Sequence, residues 1–476
     1  MDRQDRPPRL IAMRTSHPHA PMRRRLATTT GGALLAALVL ALILSPSQAQ
    51  ANYCLDKKWG FTLCLGVKAA LGGIATGNTN FGAGTVRPDG SVEHDVKYGE
   101  GYILPRLDLT YDAGNNGTFY GAVAAVAAGT RGGDPANFTT DSPSDLDLDQ
   151  AYGGWKSGKL FPSLGDDAID ISAGQEYFGI GDGFLIWDGH FDAHGDAAYW
   201  LAPRQAYDMA GVIKLATKPV SGSVFYLKGD VNQDSSQLAG GNIEYANETL
   251  GTFGATYFQV FNSDDSSFIR DGMNVGDVRA WDVPVPLISD FKLRGEFAHE
   301  WGDDHGITID ANGWYAAITW TMPNILNWGP TLTYRYSSFS GDDDPLDGNS
   351  NAFDPLFYYS PSGWGTWYQG EIVGEYLLFN SNEIAHMVKL DVNPTSTLNA
   401  GLLFFDFSLD KNSYFGTPVS DRHFADEADI YVNWSITPQL ALSVVGALAW
   451  PGEAAKEVFG NDETYELIES SLTFTY

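Results

Sequence analysis

The chain closes on Ile468-Glu469-Ser470-Ser471-Leu472-Thr473-Phe474-Thr475-Tyr476. Side chains alternate across an extended segment, so Ile468, Leu472, Phe474 and Tyr476 share one face and Glu469, Ser471, Thr473 and Thr475 share the other. One face is apolar, the other polar, and the last residue is aromatic. The same period of two recurs upstream. Ile430, Val432 and Trp434 oppose Asp429, Tyr431 and Asn433, while Trp314, Ala316, Ile318 and Trp320 oppose Tyr315, Thr319 and Thr321. Phe291, Leu293 and Phe297 oppose Lys292, Arg294, Glu296 and Glu300. A repeated period of two predicts strands with one greasy and one wettable face.

Composition narrows what these strands build. The 476 residues include 53 Gly, 13% aromatic side chains and only 18% charged ones, a profile of many short strands and turns. The net charge of -30 excludes a nucleic-acid binder held by phosphate contacts, and the aromatic content excludes disorder. A soluble sandwich also alternates, but a chain this long needs several such domains, and no Pro/Ser-rich or low-complexity linker separates any. After residue 51 no run reaches about 18 apolar residues, the length a membrane-crossing helix requires. In a membrane barrel the apolar face meets lipid and the polar face lines a lumen, so each strand of about ten residues needs no second sheet. The sequence therefore predicts an all-β, transmembrane antiparallel β-barrel. An alternating C-terminal strand with a terminal aromatic is similar to the ending of bacterial outer-membrane barrels.

The N-terminus is an address. Arg23, Arg24 and Arg25 precede twelve apolar residues from Ala33 to Leu44, and Ala49-Gln50-Ala51 offers a small-x-small cleavage site. Residues 1–51 are read as a secretory signal peptide, with translation starting at Met1, Met13 or Met22. Without them the balance is 22 basic against 57 acidic residues. Segment 52–100 follows, and 101–476 is assigned to the barrel. Cys54 and Cys64, the only cysteines, are expected to form a disulfide in an oxidising compartment, with two buried thiols as the competing reading.

Punctuation fits a barrel with short turns on one side and long loops on the other. Turns at Lys218-Pro219, Met322-Pro323, Asn393-Pro394 and Thr437-Pro438 interleave with expected loops at Asn262–Asn274, Trp301–Ala311, Ser340–Trp364 and Asp410–Phe424. Trp281, Trp301, Trp328, Tyr334 and Trp450 are placed near strand ends as interfacial girdles. The strand count is 16 to 18, about 18. A strand reading of 367–379 conflicts with parity, because it would put the Ser340–Trp364 loop on the wrong side. That stretch is assigned to the external loop instead, with Phe61–Ala75 supplying the first strand.

Alternation turns Arg106, Lys214, Lys228, Lys292, Arg294, Glu296, Arg335, Lys389, Asp391 and Asp429 toward the lumen, joined by Asp108, Glu176 and Glu300. Either they form a charged ladder that tunes which solutes pass, or they pair across strands and brace the wall. Gln175 and Asp182 are expected at a constriction, with Asp182 accepting backbone amides. Gly179-x-Gly181-x-Gly183 lacks the strand–helix setting of a phosphate-binding loop.

The run Ile171-Ser-Ala-Gly-Gln-Glu-Tyr-Phe-Gly-Ile-Gly-Asp-Gly183, with Trp187, Phe191 and Asp192, resembles a strand and loop of the alginate export porin family. So do Phe353-Asp-Pro-Leu-Phe357, Asn380, Asn393-Pro394, Glu427, Asp429 and Pro451-Gly452, over about 150–460. The resemblance implies a monomeric bacterial outer-membrane barrel of about 18 strands whose basic lumen passes an anionic polysaccharide outward. Where that family reads Gly-Arg-Gln, this chain has Ala173-Gly174-Gln175, so an expected lumen arginine is missing.

Asp342, Asp343, Asp344 and Asp347 crowd one loop and suit Ca²⁺ as hard oxygen ligands, although their order is not that of an EF-hand and plain acidic solvation competes. No other cofactor is expected. His190 and His194 lie near Asp188, Asp192 and Asp196, and His299 and His305 flank Asp303 and Asp304, but no nucleophile motif accompanies them, so no enzyme is expected. The expected role is an outer-membrane channel for a saccharide or other polar solute, with lipid as its other partner. The alternatives are an uptake porin for small carbohydrates or organic acids, and a non-conducting structural barrel.

Overall fold

The computed structural model describes residues 53–263, 269–323, 327–344, 346–359 and 363–476; the signal-peptide reading at 1–51 lies outside them. The strands are β1 (Phe61–Gly77), β2 (Lys97–Asp112), β3 (Thr118–Arg131), β4 (Ser144–Lys156), β5 (Ile169–Glu176), β6 (Tyr207–Leu215), β7 (Val220–Lys228), β8 (Gln237–Asn247) and β9 (Gly251–Asn262). They continue as β10 (Asn274–Val285), β11 (Ile288–Asp304), β12 (Ile307–Thr321), β13 (Thr331–Phe339), β14 (Glu383–Thr395), β15 (Leu398–Leu409), β16 (His423–Thr437), β17 (Leu440–Pro451) and β18 (Tyr465–Thr475). Each pairs antiparallel with its sequence neighbour. β18 returns to β1, Lys68 facing Thr475 and Gly77 facing Glu466, so the sheet closes into an 18-stranded barrel with no free edge along that seam.

The expected first strand is β1, which pairs with both β2 and β18, so residues 61–77 of segment 52–100 are part of the wall. A short strand, Tyr53–Lys58, pairs with the start of β1 and is bonded to it through Cys54 and Cys64. Stretch 367–379 is not a strand. It forms a 3-10 turn at Thr366–Tyr368 and a π turn at Gly374–Leu378 inside the long connection from β13 to β14. Trp301–Ala311 is not a long loop either. β11 and β12 run through it and turn at His305-Gly306, both at positive φ, the geometry of a two-residue hairpin.

The two rims differ. On the side of Tyr476 the strands are joined mostly by short turns, such as 286–287 between β10 and β11, 396–397 between β14 and β15, and 438–439 between β16 and β17. The other side carries 177–206 between β5 and β6, and 340–382 between β13 and β14. Barrels keep short turns on the periplasmic side, so the two long connections are extracellular in origin.

The outer wall is the alternating apolar face. Leu71, Leu402, Ile430, Trp434 and Ile468 are exposed there, as side chains facing hydrocarbon must be. The inner wall is less uniformly polar than a water-filled lumen demands. Phe258, Val260, Phe339, Phe405, Phe407 and Leu467 point inward and are buried. What buries them comes from the two long connections, which fold back into the barrel.

A plugged lumen with charges sorted by depth

Connection 177–206 places Phe178, Ile180, Phe184, Leu185 and Ile186 against Val212, Phe225, Leu227, Phe258, Val260 and Phe339 of the wall. Connection 340–382 adds Phe353, Leu356, Phe357 and Trp364 to the same cluster. Beyond it Ile372, Val373, Tyr376, Leu377 and Leu378 lie against Phe405, Phe407, Tyr431 and Leu467. The two connections also pair with each other. Ile186 bridges Phe357 in parallel, the Phe357 amide donates to Leu185 O at 3.0 Å, and the Trp187 amide donates to Phe357 O at 2.9 Å. They form one body, a plug sharing a main-chain ladder.

Polar side chains tie this body to the wall. Asp182 accepts from Tyr315 Oη at 2.6 Å and from Trp364 Nε1 at 3.3 Å, and it lies 3.6 Å from the Arg294 guanidinium. It is held by side chains of the wall and of the other connection rather than by backbone amides. Gln175 does not join it. Gln175 stays in β5, its amide donating to Leu148 O at 2.8 Å across the bulge. Arg335 is buried, donates to Gly363 O at 3.0 Å and Tyr368 O at 2.5 Å, and covers the Trp364 ring. Glu427 accepts the Ile372 and Val373 amides at 2.8 and 2.7 Å, and Asp429 meets the Glu371 amide at 3.4 Å. Glu300 takes the Asp354 amide at 3.0 Å. Buried carboxylates of the wall thus act as acceptors for plug amides that would otherwise lack partners. Inside the plug, burial pushes the Glu375 carboxyl up to about 7 while Tyr199 and Gln369 donate to it. Glu371 is raised well above the usual carboxylate range, by burial and by the Glu469 carboxyl facing it.

The remaining inward charges are ordered along the barrel axis. Arg106, Lys214, Lys292 and Arg294 stand toward the periplasmic ends of their strands, and Lys389 at the middle of β14. Glu100, Glu176, Glu300 and Glu383 stand toward the outer ends and Glu296 at the middle of β11, and all five are buried. On β11 the order from inside outward is Lys292, Arg294, Glu296, Glu300, and on β14 it is Lys389 before Glu383. Acids stand in the inner zone too, among them Glu244, bonded to Arg279 at 2.8 Å, and Asp290, in the row of Lys292 at the start of β11. Asp108 is bonded to Arg106 at 2.7 Å, Asp391 accepts from Asn399 and Tyr431, and Asp170 accepts from Tyr120 at 2.5 Å. Below the plug lies a cavity of about 330 Å³ lined by Lys68, Arg106, Gln150, Tyr177, Gln205 and Tyr359.

Two expected placements fail. Lys228 lies on the outer face, in the row of exposed Val224 and opposite exposed Met209, because Leu227 and Ala210 take the inner positions. It ends 3.9 Å from Asp208 at the outer rim. Trp281, expected in an interfacial girdle, points inward and is covered by Arg279 and Arg294, with ring-centroid distances of 5.3 and 5.7 Å. Trp301, Trp328, Tyr334 and Trp450 are exposed. Gly174, where the family pattern has arginine, sits at φ +130 with a Cβ position 2.4 Å from Ala151 O, so the local bulge leaves no room for a side chain.

Asp342, Asp343, Asp344 and Asp347 lie on connection 340–382, and their carboxylates cap nearby amides. Asp342 accepts from Asp344 N at 3.0 Å and Asp347 from Asn349 N at 2.8 Å. Among the described residues, His and carboxylate groups gather within reach of one ion elsewhere, at His190, Asp196 and Asp230 and at Asp406, His423 and Asp426. His299 Nδ1 contacts Ala311 O and His305 pairs with Asp304 at the outer hairpin.

This geometry, an 18-stranded barrel narrowed by in-folded loops, has relatives. Residues 255–468 match the family model for alginate export. The chain has the fold of an outer-membrane porin. No curated protein matches it by sequence. Its fold is similar to Pseudomonas aeruginosa OpdL, at 11% identity and a TM-score of 0.56, covering 87% of this chain and 98% of that one. It is similar to P. aeruginosa OpdK, solved with vanillate, at 10% identity and a TM-score of 0.55, covering 87% and 98%. A BenF-like porin from Pseudomonas fluorescens Pf-5 aligns at 12% identity and a TM-score of 0.53, covering 87% and 99%. A channel fold, rather than that of an enzyme, is what these likenesses support.

Proposed function

We infer that this porin acts as a monomer and passes an anionic saccharide or a similar polar acid from the periplasm outward, the plug controlling the exit. The supporting observation is the sorting of inward charge by depth. A solute arriving from the periplasm first meets Lys68, Arg106, Lys214, Lys292, Arg294 and Lys389, with the acids beside them largely engaged, whereas the buried carboxylates lie farther out and Glu300 and Glu427 among them accept plug amides. A low-dielectric wall focuses the field of such a basic mouth and raises the local concentration of anions.

Single-channel recording in planar bilayers tests the reading, with uronate oligomers or neutral sugars added from one side at a time. Blockade by uronates from the short-turn side, with little effect of neutral sugars, is the expected result. Blockade by neutral sugars from the loop side would favour the uptake alternative, which the fold of the OpdK and BenF-like porins keeps in view. A preparation that never conducts would favour a structural barrel.

A further inference from the structure

On the outer side, connection 177–206 meets the connection 229–236 between β7 and β8 around His190. The imidazole is buried, its side chain 7% exposed, and its Nε2 makes no hydrogen bond. Nε2 lies 3.4 Å from Asp196 Oδ2, and Nδ1 lies 3.9 Å from Asp230 Oδ2. Each of the three residues offers one ligand atom, and these atoms all fall within 4.8 Å of one another. The edge of a tetrahedron around a zinc ion is about 3.3–3.4 Å for bonds of about 2.0–2.1 Å, so the His190–Asp196 approach already has that length.

The surroundings are arranged as a ligand shell requires. Asn232 holds both carboxylates, donating its main-chain amide to Asp230 Oδ1 at 2.6 Å and its side-chain amide to Asp196 Oδ2 at 2.8 Å. Its remaining contacts, with Phe191 O at 3.1 Å and Ala193 O at 3.3 Å, fix it to the other connection. The neighbouring carboxylates Asp192 and Asp145 are engaged by the buried Arg204, and Asp188 Oδ1 caps the His190 amide at 3.0 Å. That leaves Asp196 and Asp230 as the acids facing the imidazole. Asp196 is 27% exposed and gives an ion a way in from solvent.

We propose that His190, Asp196 and Asp230 bind one divalent transition metal of the zinc class, which clamps the 177–206 connection to the 229–236 connection at the outer face. One imidazole nitrogen with two carboxylate oxygens suits Zn²⁺ or Co²⁺ better than Ca²⁺ or Mg²⁺, which take oxygen-only shells. Water completes the coordination. Asn232 is a positioning residue, and its loss is expected to weaken binding by about 10–100-fold, the usual effect of removing such a partner.

Calorimetric titration of the refolded, detergent-solubilised full chain with ZnCl₂ tests this, with Co²⁺ visible absorption as a second readout. The wild type is expected to bind one Zn²⁺ and to give the intense d–d bands of a low-coordinate Co²⁺ site. Asp196→Asn, at the exposed edge, and His190→Gln are each expected to lose both signals. His423→Gln, in the other His/Asp group, is expected to keep them. Heat-modifiable migration on gels reports whether each barrel is folded, and Asp196→Asn decides the matter if His190→Gln does not fold. Absence of stoichiometric Zn²⁺ uptake, its survival in folded Asp196→Asn, or its loss in His423→Gln alone would overturn the assignment.

Discussion

The guanidinium of Arg335 lies 4.2 Å from the ring centroid of Trp364, joining a strand of the wall to the connection that fills the barrel. The same side chain donates to the carbonyls of Gly363 and Tyr368, so one residue engages the plug through a ring and two main-chain acceptors. Removing Arg335 deletes a desolvated cation–π contact and two charge-assisted hydrogen bonds that dock the plug on the wall. Arg335→Ala is therefore expected to release connection 340–382 and raise mean single-channel conductance, with the barrel still folded. Conductance equal to the wild type would show that the plug is held elsewhere.

Asp182 lies 3.6 Å from Arg294, where a permeating anion would have to compete with it. Asp182→Asn keeps the size of the side chain but removes its charge, so it is expected to loosen the constriction and to increase anion preference in reversal-potential measurements. The opposite expectation holds for Lys292→Gln combined with Arg294→Gln, which strips two basic groups from the inner mouth and should lower that preference. If neither pair of measurements moves, these charges merely brace the wall.

The plug should respond to pH. The Glu375 carboxyl titrates near 7 when docked and is raised by burial, against an ordinary 4.5. A raised value means that docking favours the protonated form. The stabilisation is complete below about 4.5 and is lost as pH rises through about 7. Glu371 shifts in the same direction. Conductance is expected to rise between pH 5 and pH 8, and Glu375→Gln should flatten that rise. A channel that closes on going alkaline would contradict the direction.

Leu402 stands mid-strand on the outer face, half exposed, between Leu390 and Ile430. Placing arginine there puts a charge in hydrocarbon, at about 2–4 kcal/mol near the midplane. Leu402→Arg is expected to lower folding stability in lipid vesicles by that amount, measured by urea titration. A much smaller effect would mean that the site is not lipid-facing.

The outer half of this protein was readable because lipid imposes one rule on every strand. Ile430, Val432 and Trp434 alternate with Asp429 and Tyr431 whatever lies elsewhere in the chain. The inner half obeys no such local rule. Phe258, Phe405 and Phe407 face inward because Ile180, Phe184, Ile372 and Leu378 come to meet them from connections remote in sequence. Period two alone would assign those phenylalanines to lipid. The misplaced Lys228 has a related cause, since Leu227 takes the inner position to pack against the plug. Trp281 was drawn to an interface by its residue type, whereas the cations of Arg279 and Arg294 hold it in the lumen. The charged inner mouth was visible residue by residue, but its depth order required knowing which way each strand runs.

The bridge between Ile186 and Phe357 has a kinetic consequence. Two loops that share main-chain hydrogen bonds cannot swing aside independently without leaving those donors and acceptors orphaned in the bore. Current traces should therefore jump between shut and fully conducting levels, with no half-height plateau, until a proline at position 187 or 357 uncouples them.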